Sequence, residues 1–309
     1  MADEFLSHCK YKKNLSPKTI KAYGTDLNQL ITFINKNDYP IDVVLIDKHI
    51  LREYVKSLSG FKSKSIIRKV ATMKALFNFL EFEDIIIINP FRKMRIKIKD
   101  AKTLPTVMTI NEIKQILNIA YQDKNDVHDP QSYRFYEVTR NTAVLELLFA
   151  TGFRVSELSC LKQENIDLEA GLFKVTGKGN KERIIQICDP EIKHILNEYQ
   201  AISKSMMKQP DGFFFINRFN KRLSEQSVRF MVKDYAKRAG IEKRITPHTF
   251  RHSFATLLLE EDVDIKYIQH FLGHSSITTT QIYTHVNKEQ QSKILLNKHP
   301  RKNFRMMPD

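Results

Sequence analysis

The sequence predicts a mainly α protein with a small antiparallel β-sheet in its C-terminal part, on three observations. Glycine and proline are scarce, 9 and 10 in 309 residues. Apolar residues recur at helical spacing through most of the chain, and the period changes to two only between Ile166 and Ile187. A chain of this length is most naturally two domains, each large enough to bury a core. The polar, aperiodic stretch 98–107, which contains Pro105, is read as a linker between a helical domain at 1–97 and a second domain at 108–309.

In the first domain, Ser16-Pro17 reads as an N-cap followed by proline at the first helical position. Ile20, Tyr23, Leu27, Leu30, Ile31 and Ile34 then line one helix face, with Lys18 and Lys21 on the other. A second helix is expected from Asp47 to Leu58. A third begins near Ser65, with Ile66, Val70, Met73, Phe77 and Leu80 inward and Lys64, Arg68 and Lys74 outward. Any one of these lysines is adequately explained as a solvated surface charge; repetition over several helices favours a face that grips DNA.

The second domain opens with Thr109 or Asn111 capping a helix through Ala120. The polar stretch Asp123 to Tyr133 reads as an exposed loop, and Glu137 to Ala150 as a buried helix broken at Thr151-Gly152. Phe173 and Val175 alternate with polar neighbours, as do Arg183, Ile185 and Ile187, around the hairpin turn Gly177-Lys178-Gly179-Asn180. The remainder to about Asn297 reads as helices.

Composition narrows the function classes. Hydrophobic residues at 42% and charged residues at 28% exclude a largely disordered or collagen-like chain. No apolar run approaches the roughly 18 residues of a membrane span; Ile85 to Ile88, one of several runs of four, reads as a short strand or buried turn. Met1-Ala2-Asp3-Glu4 carries no signal pattern, which predicts a cytoplasmic protein. Cys9, Cys160 and Cys188 are odd in number and lack C-x-x-C spacing, which argues against a disulfide framework or a zinc site. The net charge of +15 divides into +8 for residues 1–97 and +7 for 98–309, so the basic surface is not a terminal arm.

Several segments could carry chemistry. In Thr246-Pro247-His248-Thr249-Phe250-Arg251-His252, His248 and Arg251 lie within about 60° of each other on a helix that Thr-Pro opens. Arg, His and free backbone N–H groups at a helix start suit a phosphate, although a surface Arg beside a capped histidine explains this segment as well. Gly273 ends a helix just before His274. Tyr283 in Ile282-Tyr283-Thr284-His285 is either a core aromatic or a nucleophile. Arg154 follows the helix break at Gly152, with Glu157 one turn on to pair with it, and Lys178 sits at the hairpin tip. There is no H-E-x-x-H, no paired D-x-D cluster and no G-x-x-x-x-G-K-[ST] nucleotide loop.

Taken in order, A-T-G-F-R-V-S-E-L, G-K-G-N-K-E-R, H-T-F-R-H-S-F-A-T, L-G-H-S-S and I-Y-T-H closely resemble the tyrosine recombinase (phage integrase) family, especially its Xer-type members. The resemblance covers the second domain, and the helical first domain is similar to the family's SAM-like core-binding domain. It implies that Arg154, Lys178, His248, Arg251 and His274 activate a DNA phosphate and that Tyr283 is the nucleophile, with a 3′-phosphotyrosyl intermediate and neither metal nor ATP. It further implies a two-domain clamp acting as a tetramer on two double-stranded DNA sites. The Asp123–Tyr133 stretch, longer than the corresponding Xer connection, leans toward a mobile-element integrase. The tail Lys288–Asn297 either docks on a neighbouring protomer, as such tails often do in this family, or forms a short helix packed on its own chain. The rivals are a type IB topoisomerase, which would relax one duplex alone, a metal-dependent transposase, which would need a carboxylate triad, and a non-catalytic DNA-binding protein.

Overall fold

The computed structural model describes residues 1–98, 105–177, 182–208, 211–273 and 288–306, the side chains of 288–291 excepted. The chain divides into two compact units, Met1–Thr103 and Leu104–Asp309. Among the described residues no helix is long and apolar enough to cross a membrane.

The first unit is a helical bundle of α1 (Ala2–Tyr11), α2 (Pro17–Lys36), α3 (Lys48–Ser57) and α4 (Ser63–Phe82). Two of the starts, those of α2 and α3, have a local cause. The Ser16 hydroxyl accepts from Thr19 N at 3.2 Å ahead of Pro17, and the Asp47 carboxylate accepts from His49 N and Ile50 N. Phe5, Leu27, Leu30, Ile34, Leu51, Tyr54, Met73, Phe77 and Leu80 meet in one core. Two expectations fail here. Ile31 is 40% exposed, because it sits at the edge of the α2 stripe whose centre is Leu27, Leu30 and Ile34. Ile85 to Ile88 form neither a strand nor a buried turn; only Ile86 is buried, while Ile87 and Ile88 face solvent.

Beneath the bundle's basic surface lies an ionic centre. Asp26 is fully buried and accepts from Lys69 Nζ at 3.1 Å, Thr72 Oγ1 at 2.9 Å and Arg68 Nη1. A carboxylate removed from water survives only with such partners. Arg68 therefore holds the bundle together as well as reaching its surface.

In the second unit, α5 (Ile110–Asn125) starts on a reciprocal cap: Glu112 N donates to Thr109 Oγ1 at 3.2 Å and Thr109 N to Glu112 Oε2 at 2.7 Å. The loop expected from Asp123 to Tyr133 shrinks to 126–132. Asp123 and Asn125 remain helical, and Tyr133 opens α6 (Tyr133–Thr151) behind the Ser132 cap. Asp123 is held in place by Arg238 Nη1 at 2.6 Å.

Helix α6 is buried on nearly every side and runs through the core among Ile113, Leu117, Ile195, Leu196 and Phe250. Gly152 ends it in a left-handed conformation (φ +59°). The short α7 (Val155–Ser159) follows, then an antiparallel sheet ordered β1 (Ile166–Asp167), β2 (Leu172–Thr176), β3 (Glu182–Gln186). Phe173 faces Ile185 and Val175 faces Arg183 across the β2–β3 ladder. The remaining helices are α8 (Pro190–Met206), α9 (Glu225–Arg238), α10 (Pro247–Glu260), α11 (Ile265–Leu272) and α12 (Lys288–Lys298).

Leu295 of α12 is buried with Phe254, Leu258, Val263, Ile268, Phe271 and Leu272 of the same chain. Within the single chain this tail thus packs on its own unit. Beyond it, Arg301 is buried against Glu146 in α6, donating Nε to Oε2 at 3.1 Å and Nη2 to Oε1 at 3.0 Å, while Tyr121 Oη donates to Glu146 Oε1 at 3.0 Å.

Candidate active site

Charged side chains from the start of α7, from β3 and from α10 converge where α6, α7, α10 and α11 meet. Arg154 leads into α7 and Arg251 projects from the second turn of α10, which Thr246 and Pro247 initiate. Arg251 is almost completely buried. It donates Nη1 to Gly152 O at 2.8 Å and Nη2 to Leu272 O at 2.6 Å, two carbonyls that helix ends leave unpaired. Loss of water, followed by the proximity of Arg154, pushes its pKa down to about 10, so it remains a cation at neutral pH.

The Arg154 side chain is 27% exposed and shares the same acceptor: Nη1 reaches Leu272 O at 3.4 Å, and Nη2 reaches Gly273 O at 3.2 Å. Glu157 is one turn away and buried. It accepts from Arg154 N at 2.8 Å and from Arg154 Nη1 at 2.8 Å. Burial works to raise its pKa, but hydrogen bonds from Arg183 and then Arg154 outweigh it and hold the carboxyl below the usual range.

Backbone shape fixes this arrangement. A Cβ on Gly152 would lie 2.8 Å from Phe254 Cδ1 and 2.9 Å from Leu272 Cδ2, in a conformation that already disfavours side chains. Gly273 ends α11 in the same left-handed region (φ +61°), as the sequence suggested, and a Cβ there would press on Arg183 at 3.0 Å.

His248 lies on the first turn of α10, exposed, three residues before Arg251. Partial desolvation, then the neighbouring His252, Arg251, Arg229 and Arg154, depress its pKa, which favours the neutral imidazole that can accept a proton. Arg154, Glu157, His248 and Arg251 are thus brought together. Lys178, His274 and Tyr283 lie outside the described residues. In the first unit Lys18, Lys21, Lys64 and Lys74 are exposed, and Arg68 is engaged with Asp26 and Ala22 O.

Arg183, to which the motifs assign no role, also joins this cluster. It donates Nη1 to Glu157 Oε1 at 2.8 Å and Nη2 to Glu157 Oε2 at 2.9 Å. The strand pattern held the signal, because Arg183 shares the phase of the buried Ile185 and Ile187, and a charge at an inward register needs an inward partner.

Residues 106–290 match the model of the phage integrase family, and residues 2–84 match the phage integrase N-terminal SAM-like domain. A tyrosine recombinase of Agathobacter rectalis is 42% identical over 97% of this chain and 96% of its own length. Tyrosine recombinase XerC of Thermodesulfovibrio yellowstonii is 36% identical over 96% and 95% of the two chains, and XerD of Halalkalibacterium halodurans 38% over 96% and 97%. In fold, the chain resembles the XerH site-specific recombinase in its pre-cleavage complex with difH (TM-score 0.68, 24% identity, 95% of this chain and 83% of that one). A lambda integrase dimer on a core site shares the fold as well (TM-score 0.66, 18% identity, 89% and 94%).

Proposed function

Because the chain belongs to the phage integrase family and is a tyrosine recombinase, an enzyme that cuts and rejoins DNA strands, we propose that Arg154, Arg251 and His248 act on one scissile phosphate together with Lys178, His274 and Tyr283. The observation that carries this reading is the pair of guanidinium groups sharing Leu272 O beside a depressed-pKa histidine.

A phosphodiester gathers negative charge on its non-bridging oxygens as a nucleophile approaches in line with the leaving oxygen. Arg154 and Arg251 are held by backbone carbonyls before substrate arrives, so stabilising that charge requires little rearrangement. Tyr283 Oη attacks phosphorus and passes its proton to neutral His248. The 5′ oxygen leaves and takes a proton from Lys178, while His274 hydrogen-bonds the phosphate. The products are a 3′-phosphotyrosyl enzyme and a free 5′-hydroxyl, and attack by a second 5′-hydroxyl reverses the step without ATP.

The +8 charge of residues 1–97 suits a core-binding domain that holds the duplex by its phosphates, with Lys18, Lys21, Lys64 and Lys74 as contacts and residues 108–309 as the catalytic part. The working assembly is a tetramer on two double-stranded sites, in the cytoplasm. With the 126–132 connection short and Xer-named relatives matching over nearly the full length, the biological reading is Xer-type recombination at a chromosomal site.

The experiment is to incubate the protein, with EDTA present, with fragments of its source genome, quench with detergent, and sequence the DNA held covalently. Adducts at one chromosomal site, absent with Tyr283→Phe, support the reading. Adducts that survive Tyr283→Phe overturn the nucleophile, and adducts at element ends replace the Xer-type role with integration. Relaxation of supercoiled DNA lacking the site would favour the topoisomerase alternative.

A further inference from the structure

We propose that Arg183 is a positioning residue that occupies Glu157 so that Arg154 remains available, as a cation, to the scissile phosphate. The inference rests on the recombinase reading above and goes beyond it, because Arg183 belongs to none of the roles assigned there.

Glu157 is the carboxylate in contact with Arg154, and it is almost completely buried. Paired with Arg154 alone, the two charges would cancel, and a guanidinium neutralised by a buried carboxylate is a poor partner for a phosphate. Arg183 prevents this. Its fork takes both Glu157 oxygens, at 2.8 and 2.9 Å, so its charge is engaged with that carboxylate rather than offered to a phosphate. Arg154, Arg183 and Arg251 with Glu157 leave a net charge of +2 in this cluster, which suits a phosphate that becomes more negative in the transition state. Without Arg183 that charge is +1.

Arg183 also fixes where the acceptors for Arg154 lie. Its Nε donates to Phe271 O at 3.0 Å, and its stem and guanidinium lie against the Cβ position of Gly273. Leu272 and Gly273, which follow Phe271, supply the carbonyls that orient Arg154. One β3 side chain thus orders both the carboxylate and the helix end between which Arg154 is held. The cationic face of Arg183 also packs toward the Phe153 ring, 6.0 Å from its centroid, which fixes the fork from the other side.

The test is a double-mutant cycle read as the rate of covalent adduct formation on a nicked duplex carrying the trapped site, with DNA affinity and melting temperature measured for each protein. Arg183→Ala is expected to slow adduct formation by about 100-fold, the scale on which removing one preorganised donor acts, with affinity changed by less than about threefold. In a Glu157→Gln background the same change is expected to cost less than about tenfold, because no carboxylate is left to capture Arg154. Equal losses in the two backgrounds would overturn the proposal. Should Arg183→Ala fail to fold, Arg183→Lys keeps the charge and stem but not the fork, and the same contrast between backgrounds is read from it. Tyr283→Phe serves as the control: if it still forms adduct the recombinase reading fails, whereas an active parent matched by its Arg183 variants sinks this inference alone.

Discussion

Arg154 and Arg251 donate to one and the same oxygen, the Leu272 carbonyl, at 3.4 and 2.6 Å. Two cations approach each other because a helix end, itself partly negative, lies between them. Conversion of either to Lys keeps a charge but loses the fork. Arg154→Lys and Arg251→Lys are each expected to lower the cleavage rate by about 100-fold or more while leaving DNA affinity within about threefold. Gel-shift titration beside adduct kinetics checks this, and parallel losses in both would show that the two arginines bind rather than activate.

The depressed pKa of His248 sets a direction for the pH profile. The base is the neutral form, whose fraction rises with pH, so cleavage should fall on the acid side only below the ordinary histidine value. Removing neighbouring positive charge with Arg229→Gln should move that limb to higher pH. A limb that stays in place would mean that Arg229 does not act on His248.

Salt dependence separates holding residues from structural ones. Lys64→Ala or Lys74→Ala should weaken DNA binding and reduce the slope of log K against log salt by about one, with melting unchanged. Arg68→Ala should instead lower the melting temperature of the first unit, because buried Asp26 loses a partner.

The second unit should be acid-labile through His299. Burial first, and Arg301 with it, pushes the His299 pKa to about 4 in the folded chain, and Nδ1 accepts from Arg301 N at 3.0 Å. Unfolded chains take up this proton near pH 6.5, so the contribution is complete above that value, shrinks as pH falls toward 4, and is then constant. The loss amounts to about 3 kcal/mol. His299→Asn keeps the cap acceptor without the titration and should flatten stability between pH 7 and 4, as urea melts would show.

Much of the fold was legible because its causes are local. Ser16-Pro17, Thr109 with Glu112, and Thr246-Pro247 announce helix starts within four residues, and the period of two around residue 177 announces the sheet. Helix α1 escaped notice because only Phe5 and Cys9 are buried in it and Met1 offers no side-chain cap. At the site, Arg154, Glu157, His248 and Arg251 could be named from short motifs. Arg183 closes the G-K-G-N-K-E-R motif, but its role is not legible there, since its partner Glu157 lies 26 residues earlier on another element. Ile31 and Ile87 were misplaced for the opposite reason: an apolar side chain shows its burial only once its neighbours are assembled.

The pair Glu146–Arg301 spans 155 residues of sequence. A ribosome makes α6 long before it makes the cation that α6 requires, so during synthesis the central helix carries an uncompensated carboxylate. Completion of this ion pair therefore waits for Arg301, which is added after Tyr283. An emerging chain would hold Tyr283, the proposed nucleophile, without that ion pair, and so is expected to be inert toward the DNA being transcribed nearby. Stalled chains that end before His299 should stay protease-sensitive, and those extended past Phe304 should not.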